Sequence, residues 1–162
     1  MPLRTDLGTL LAERAAEHGD RPFLVMDGLR LTYAEFNEQV NRVAHGLDSA
    51  GVGPGDRVAV MLRNSLEFLL VSYALKKLGA VEVAINNGAR GAGLVHTVNL
   101  TEAPLMVTED AFVEPLAAVA GDLAHLRTVA LVGDVASARR ALPGVTVDAF
   151  SGLVSDRADE PR

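Results

Sequence analysis

After residue 56 the chain switches repeatedly between two hydrophobic periods, and this alternation limits its folds more than any other feature. Arg57-Val58-Ala59-Val60-Met61-Leu62 is a continuous apolar run of strand length, the pattern of a strand covered on both faces. Asn64 or Ser65 can cap a following helix whose Leu66, Leu69, Leu70, Tyr73, Ala74 and Leu78 share one side, and Gly79 ends it. Val81 to Ile85 is again strand-like. Helix is expected from Gly91 to Glu102, strand at Leu105 to Val107, and helix from Ala111 to His125 on the face of Val113, Leu116, Ala117, Ala120 and Leu123. A strand from Thr128 to Val132, a helix around Ala136 to Leu142 and a short strand at Val145 to Val147 complete the series. Alternation with connections this short requires parallel strands, right-handed crossovers and helices against the sheet.

Upstream, Thr5 or Asp6 can cap a first helix carrying Leu7, Leu10, Leu11 and Ala15, which Gly19 stops as a C′ residue. Two short apolar runs then flank Asp27-Gly28, the signature of a hairpin with a type I′ turn. Thr32 and Glu35 form a capping box opening a helix with Phe36, Val40, Val43 and Leu47 on one stripe. The expected fold class is therefore α/β: a three-layer, doubly wound, mostly parallel sheet with helices on both faces and an N-terminal β-hairpin. The 162 residues suffice for one core. Residues 1–150 are expected to form it, with 151–162, rich in charge, as a polar linker or tail.

Composition removes several classes of function. A net charge of −6 lacks the basic footprint of a nucleic-acid binder. Without cysteine there is no disulfide framework, thiolate metal site or thiol nucleophile. The longest strongly apolar run, Leu66 to Leu75, is too short and too polar for a transmembrane segment, and the opening residues fit no signal or transit peptide. The expectation is a cytoplasmic protein.

Chemistry-bearing motifs are few. Gly51 to Gly55 precedes a strand, whereas a dinucleotide fingerprint follows one, so it reads as a turn. Gly88-Ala89-Arg90-Gly91-Ala92-Gly93 lies between a strand and a helix and could offer backbone N–H groups to an anion, with Arg90 as counter-charge. It departs from G-x-G-x-x-G, and a structural helix start is the favoured reading. His18, His45, His96 and His125 stand far apart without metal-ligand spacing, and read as structural or exposed. No G-x-S-x-G frames Ser65 or Ser72. Glu35, Glu38, Asp48 and Glu67 read as caps or solvated positions, and Lys76-Lys77 as a basic helix end matched to the macrodipole. No catalytic or metal-binding residue emerges. Arg90 and His96 are the weak candidates for cofactor contact.

Read in order, several blocks resemble one family. They are Arg21-Pro22-Phe23-Leu24, Leu31-Thr32-Tyr33-Ala34-Glu35-Phe36, Asn41-Arg42-Val43-Ala44-His45-Gly46-Leu47, Gly51 to Val60, Asn64 to Phe68, Lys77-Leu78-Gly79-Ala80-Val81, Asn86 to Gly91 and Leu105 to Thr108. This succession resembles the opening of the adenylate-forming (AMP-binding) superfamily, and Arg90-Gly91-x-Gly93-Leu94-x-His96 is most similar to fatty-acyl and carnitine-type CoA ligases. Asn87-Gly88 departs from the Pro or Thr the family often has after its Asn. The resemblance implies a parent enzyme that joins a carboxylic acid to ATP, giving acyl-adenylate and pyrophosphate with Mg²⁺. It then passes the acyl group to CoA. The family's phosphate loop, metal-holding Glu, ribose-binding Asp and catalytic Lys match no position here. The implied piece is an N-terminal subdomain, silent alone, whose partners are the acid, CoA and the remaining subdomains, with a homodimer left open. Two other expectations compete: a non-catalytic acyl- or partner-binding module derived from such a ligase, and a free-standing nucleotide binder resting on Gly88 to Gly93.

Overall fold

The computed structural model describes residues 7–161, so the Thr5 or Asp6 cap lies outside the described residues. Helix α1 (Leu7–His18) leads into the hairpin β1 (Pro22–Met26) and β2 (Leu29–Thr32), antiparallel with Met26 opposite Leu29. Asp27 at φ 49° and Gly28 at φ 83° make the expected type I′ turn. Phe23 lies 4.8 Å from the Tyr33 ring and 4.6 Å from Phe36, and Phe36 meets Tyr73 edge-on at 5.4 Å. Four of the seven aromatic rings, Phe23, Tyr33, Phe36 and Tyr73, thus tie the hairpin to the helices beneath it.

Helix α2 (Tyr33–Ser49) begins with both hydrogen bonds of the capping box between Thr32 and Glu35. Its stripe of Phe36, Val40, Val43 and Leu47 is fully buried. Gly51 (φ 88°) closes it: its N–H donates to Asp48, and that of Val52 to Leu47, the paired bonds of a Schellman motif. Strand β3 (Arg57–Met61), α3 (Leu66–Lys77), β4 (Val81–Ala84), α4 (Gly91–Thr101) and β5 (Leu105–Glu109) follow as the alternation predicts. Ser65, rather than Asn64, caps α3, accepting from the Phe68 N–H at 3.2 Å.

The single helix expected from Ala111 to His125 is not formed. Residues 110–112 make a 3-10 turn, α5 spans only Val113–Ala117, and 120–122 make a second 3-10 turn. Pro115 explains the late start, because its ring excludes a helical carbonyl four residues earlier, at Ala111. The apolar face survives the break: Leu116, Val119 and Leu123 are all buried. Strand β6 (Thr128–Val132), α6 (Val135–Ala141) and β7 (Thr146–Ala149) complete the sheet, and a 3-10 turn spans Phe150–Leu153.

The five strands β3 to β7 are all parallel in the order β4-β3-β5-β6-β7. Alternate residues of β3 feed opposite cores. Val58 and Val60 pack with the buried faces of α1, α2 and α3, while Ala59 and Met61 pack with those of α4, α5 and α6. The sheet is therefore doubly wound, as expected. Among the described residues no helix is long and apolar enough to cross a membrane.

Candidate functional site

In a doubly wound sheet the crossovers leave a crevice where the winding direction reverses, beyond the carboxyl ends of the two strands at the switch. Here the switch falls between β3 and β5, since β4 lies on one side of β3 and β5 to β7 on the other. The Thr108 hydroxyl donates to the Met61 carbonyl at 2.9 Å and joins the two strand ends. Glu109, the last residue of β5, is 7% exposed and receives the Arg63 backbone N–H at 3.3 Å as well as the Arg63 guanidinium. Arg63 keeps 71% of its own side chain exposed. Arg63 thus stands exposed beyond the carboxyl end of β3, paired with the nearly buried carboxylate at the end of β5.

The neighbouring rim is also hydrogen-bonded from within. Asn87 donates its amide to the Leu62 carbonyl at 3.0 Å, holding the β4–α4 loop against β3. Asp110 accepts the Asp134 N–H at 2.9 Å. Asp134 caps α6 through Ala136 and Ser137, and the Ser137 hydroxyl and N–H bonds hold its carboxyl below the ordinary aspartate value. The Asp134 carboxylate thus acts as the acceptor that caps α6. Among the described residues, no group of three or more His, Asp or Glu side chains is arranged to hold a metal ion.

Arg90 and His96 do not converge. Arg90 is the N-cap residue of α4, without a side-chain cap, and its guanidinium turns back to the carbonyls of Asn87 and Ala89 at 2.8 and 2.7 Å. It therefore stabilises its own loop, while Gly91, Ala92 and Gly93 present an exposed first turn. His96 is exposed on the outer side of α4, beside a shallow groove that it shares with Val95, Leu100 and Val119.

A second polar centre, on the opposite layer, was not anticipated. Residues 153–161 run back along α2. The Ser155 N–H donates to the Arg42 carbonyl at 3.0 Å, and Arg42 donates to the Asp156 carbonyl at 3.0 Å. Asn41 donates to the Ala158 carbonyl at 2.8 Å, and His45 Nε2 lies 2.9 Å from the Asp159 carbonyl. The Glu160 carboxylate receives Asn37, Asn41 and the ammonium of Lys77, whose side chain is 3% exposed. Lys77 is thus a buried ion-pair partner and not only a basic helix end, and Lys76 is likewise paired with Glu82 at 2.6 Å. His45, only 5% exposed, is structural. The sequence carried only a weak signal here: Asn41, Arg42 and His45 recur at helical spacing on one side of an amphipathic helix that has many other polar residues.

Comparison with known proteins agrees with this fold. The family described as AMP-binding enzyme matches residues 11–160. The medium/long-chain-fatty-acid–CoA ligase FadD6 of Mycobacterium tuberculosis is 38% identical over 133 residues, which are 78% of this chain and 22% of that protein. A Mycobacterium marinum protein, medium/long-chain-fatty-acid–CoA/3-oxocholest-4-en-26-oate–CoA ligase, is 31% identical over 125 residues, 76% of this chain and 23% of its own length. The solved N-terminal domain of FACL13 from M. tuberculosis superposes with TM-score 0.76 at 26% identity, covering 97% of this chain and 38% of that one. Coronafacic acid ligase from Pectobacterium brasiliense, in its R395G form, superposes at 0.83 with 16% identity over 98% of this chain and 31% of that one, a likeness of fold alone. The chain spans about a fifth of the length of these curated relatives, matching the N-terminal portion of larger enzymes.

Proposed function

Because the chain belongs to the AMP-binding enzyme family, we propose that it is the N-terminal subdomain of an AMP-forming acyl-CoA ligase, a wall of the substrate pocket that performs no chemistry alone. The complete ligase would convert a carboxylic acid, ATP and CoA to acyl-CoA, AMP and pyrophosphate through an acyl-adenylate. The observation that carries the reading is the family match across residues 11–160, nearly the whole described fold, while the aligned stretch makes up only 22% of the first relative's length.

The side chains at the sheet's carboxyl rim support the silent half of the proposal. Glu109, Asp110 and Asp134 accept N–H groups of this fold, and Arg63 is engaged by Glu109. They do not fit a triphosphate or its Mg²⁺, so ATP, Mg²⁺ and CoA are assigned to the complete ligase and no step to these residues. Arg90 and His96 are its candidate cofactor-contacting side chains. The reading has residues 1–150 as the subdomain and 151–162 as the connection onward, in a cytoplasmic enzyme with a homodimer as the assembly to test. Pyrophosphate release by the isolated chain, supplied with ATP, Mg²⁺, CoA and a panel of carboxylic acids, should not exceed the enzyme-free rate. Turnover above it would overturn the claim of silence.

A non-catalytic acyl- or partner-binding module is the second reading. Leu100, 72% exposed at the groove of α4, favours it. Saturable binding of a fluorescent fatty acid at this groove, lost in Leu100→Asp, would select it.

A further inference from the structure

The contacts of residues 153–161 have the form of peptide recognition. Three features separate them from ordinary packing. Donors on α2 read main-chain carbonyls of the segment, from Arg42 to Asp156, from Asn41 to Ala158 and at His45 to Asp159. One carboxylate, that of Glu160, is read by side chains of two helices, Asn37 and Asn41 on α2 and Lys77 on α3. The segment starts from a close main-chain contact just before it: at Gly46 a Cβ would stand 1.8 Å from the carbonyl oxygen of Leu153, the buried residue that anchors its start. Beyond Leu153 the segment buries little apolar surface, with Val154 43% exposed and Asp156, Arg157, Asp159 and Glu160 on the outside. Its attachment is therefore polar and charge-assisted, while the sheet rests on two apolar cores. Elements joined to the fold mainly by polar contacts open at lower free energy than those in the core.

We propose that α2 and α3 form a groove recognising an acidic peptide, that residues 154–161 are its resident occupant, and that this segment docks and releases as a unit while the sheet stays folded. The Asn37 and Asn41 amide oxygens in this seat are buried without a hydrogen-bond partner, acceptors that the resident segment leaves unsatisfied. Glu160 is the residue that discriminates: replacing it by a neutral isostere removes the charge-assisted bonds and leaves the carbonyl contacts. Such bonds are about twice as strong as neutral ones.

Amide hydrogen exchange on the full chain tests this. In Glu160→Gln, exchange at Ser155, whose N–H is bound to the Arg42 carbonyl, should rise about ten-fold or more, while Val60 and Val107 in β3 and β5 stay unchanged. Glu38→Gln, which removes the exposed pair with Arg42, should leave Ser155 within about two-fold. A labelled peptide of residues 154–161 should bind the Glu160→Gln chain saturably, and the unmodified chain at least ten-fold more weakly. Unchanged Ser155 exchange would overturn the latch. Equal acceleration of Val60 and Val107 would overturn its independence, and absence of saturable peptide binding to either chain would overturn the groove.

Discussion

Gly46 is where two opposing effects can be weighed. In an exposed helix interior, glycine costs about 0.5–1 kcal/mol relative to alanine, so replacing it would ordinarily stabilise. At this position the added Cβ would lie 1.8 Å from the Leu153 oxygen and 2.4 Å from its carbonyl carbon. Backbone cannot yield as a flexible side chain does, so the steric term wins. Gly46→Ala should destabilise the chain by about 2 kcal/mol or more, read as a lower urea midpoint at unchanged slope. A rise in the midpoint would mean that Leu153 does not rest on α2. The role of Gly46 was invisible in sequence, because its neighbour is more than a hundred positions away and no local pattern announces the contact. Thr32 and Glu35 are the contrary case. Their partners lie three residues apart, and both bonds form as the spacing requires.

At the scale of elements, legibility follows the same division. The stripe of α2 is periodic and the runs of β3 and β6 are continuously apolar, and both patterns survive without knowledge of the neighbours. The stretch from 111 to 125 kept its apolar face but not its helix, because Pro115 breaks the backbone without disturbing the burial pattern. Residues 151–161 read as solvated because charge dominates their composition, yet Asn41, Arg42 and His45 of α2 are all devoted to their carbonyls. This element also carries a pH dependence. Burial alone would raise the Glu160 carboxyl, but hydrogen bonds from Asn37, Lys77 and Asn41, with the Lys77 charge, outweigh it and hold it below the ordinary glutamate value. His45 on α2 and the adjacent Asp159 are the other titratable groups beside it. A depressed carboxyl contributes stability that is present above the unfolded glutamate value and lost as pH falls through the folded one. Ser155 exchange, corrected for its intrinsic pH dependence, should therefore accelerate across that acidic window in the unmodified chain, and Glu160→Gln should flatten the response. An equal acid response in both chains would assign the effect to another group.

For the whole molecule, the doubly wound architecture was readable because every crossover is short and each element repeats one period. The candidate site was readable only in part. Arg90 was visible as a cation before a glycine-rich helix start, but its turn back onto Asn87 and Ala89 depends on loop geometry that residue types do not encode. The Arg63–Glu109 pair at the β3–β5 switch joins residues 46 positions apart and needed the sheet order to be seen. The central claim is that this fold is the N-terminal subdomain of an acyl-CoA ligase. A chimera tests it most directly: the matching segment of the M. tuberculosis ligase FadD6 is replaced by residues 11–160 of this chain, and fatty-acid-dependent acyl-CoA formation is measured with ATP and CoA. The account predicts a folded chimera that forms acyl-CoA and releases pyrophosphate, while the isolated chain does neither. A chimera that folds with native-like cooperativity yet forms no acyl-adenylate would contradict it.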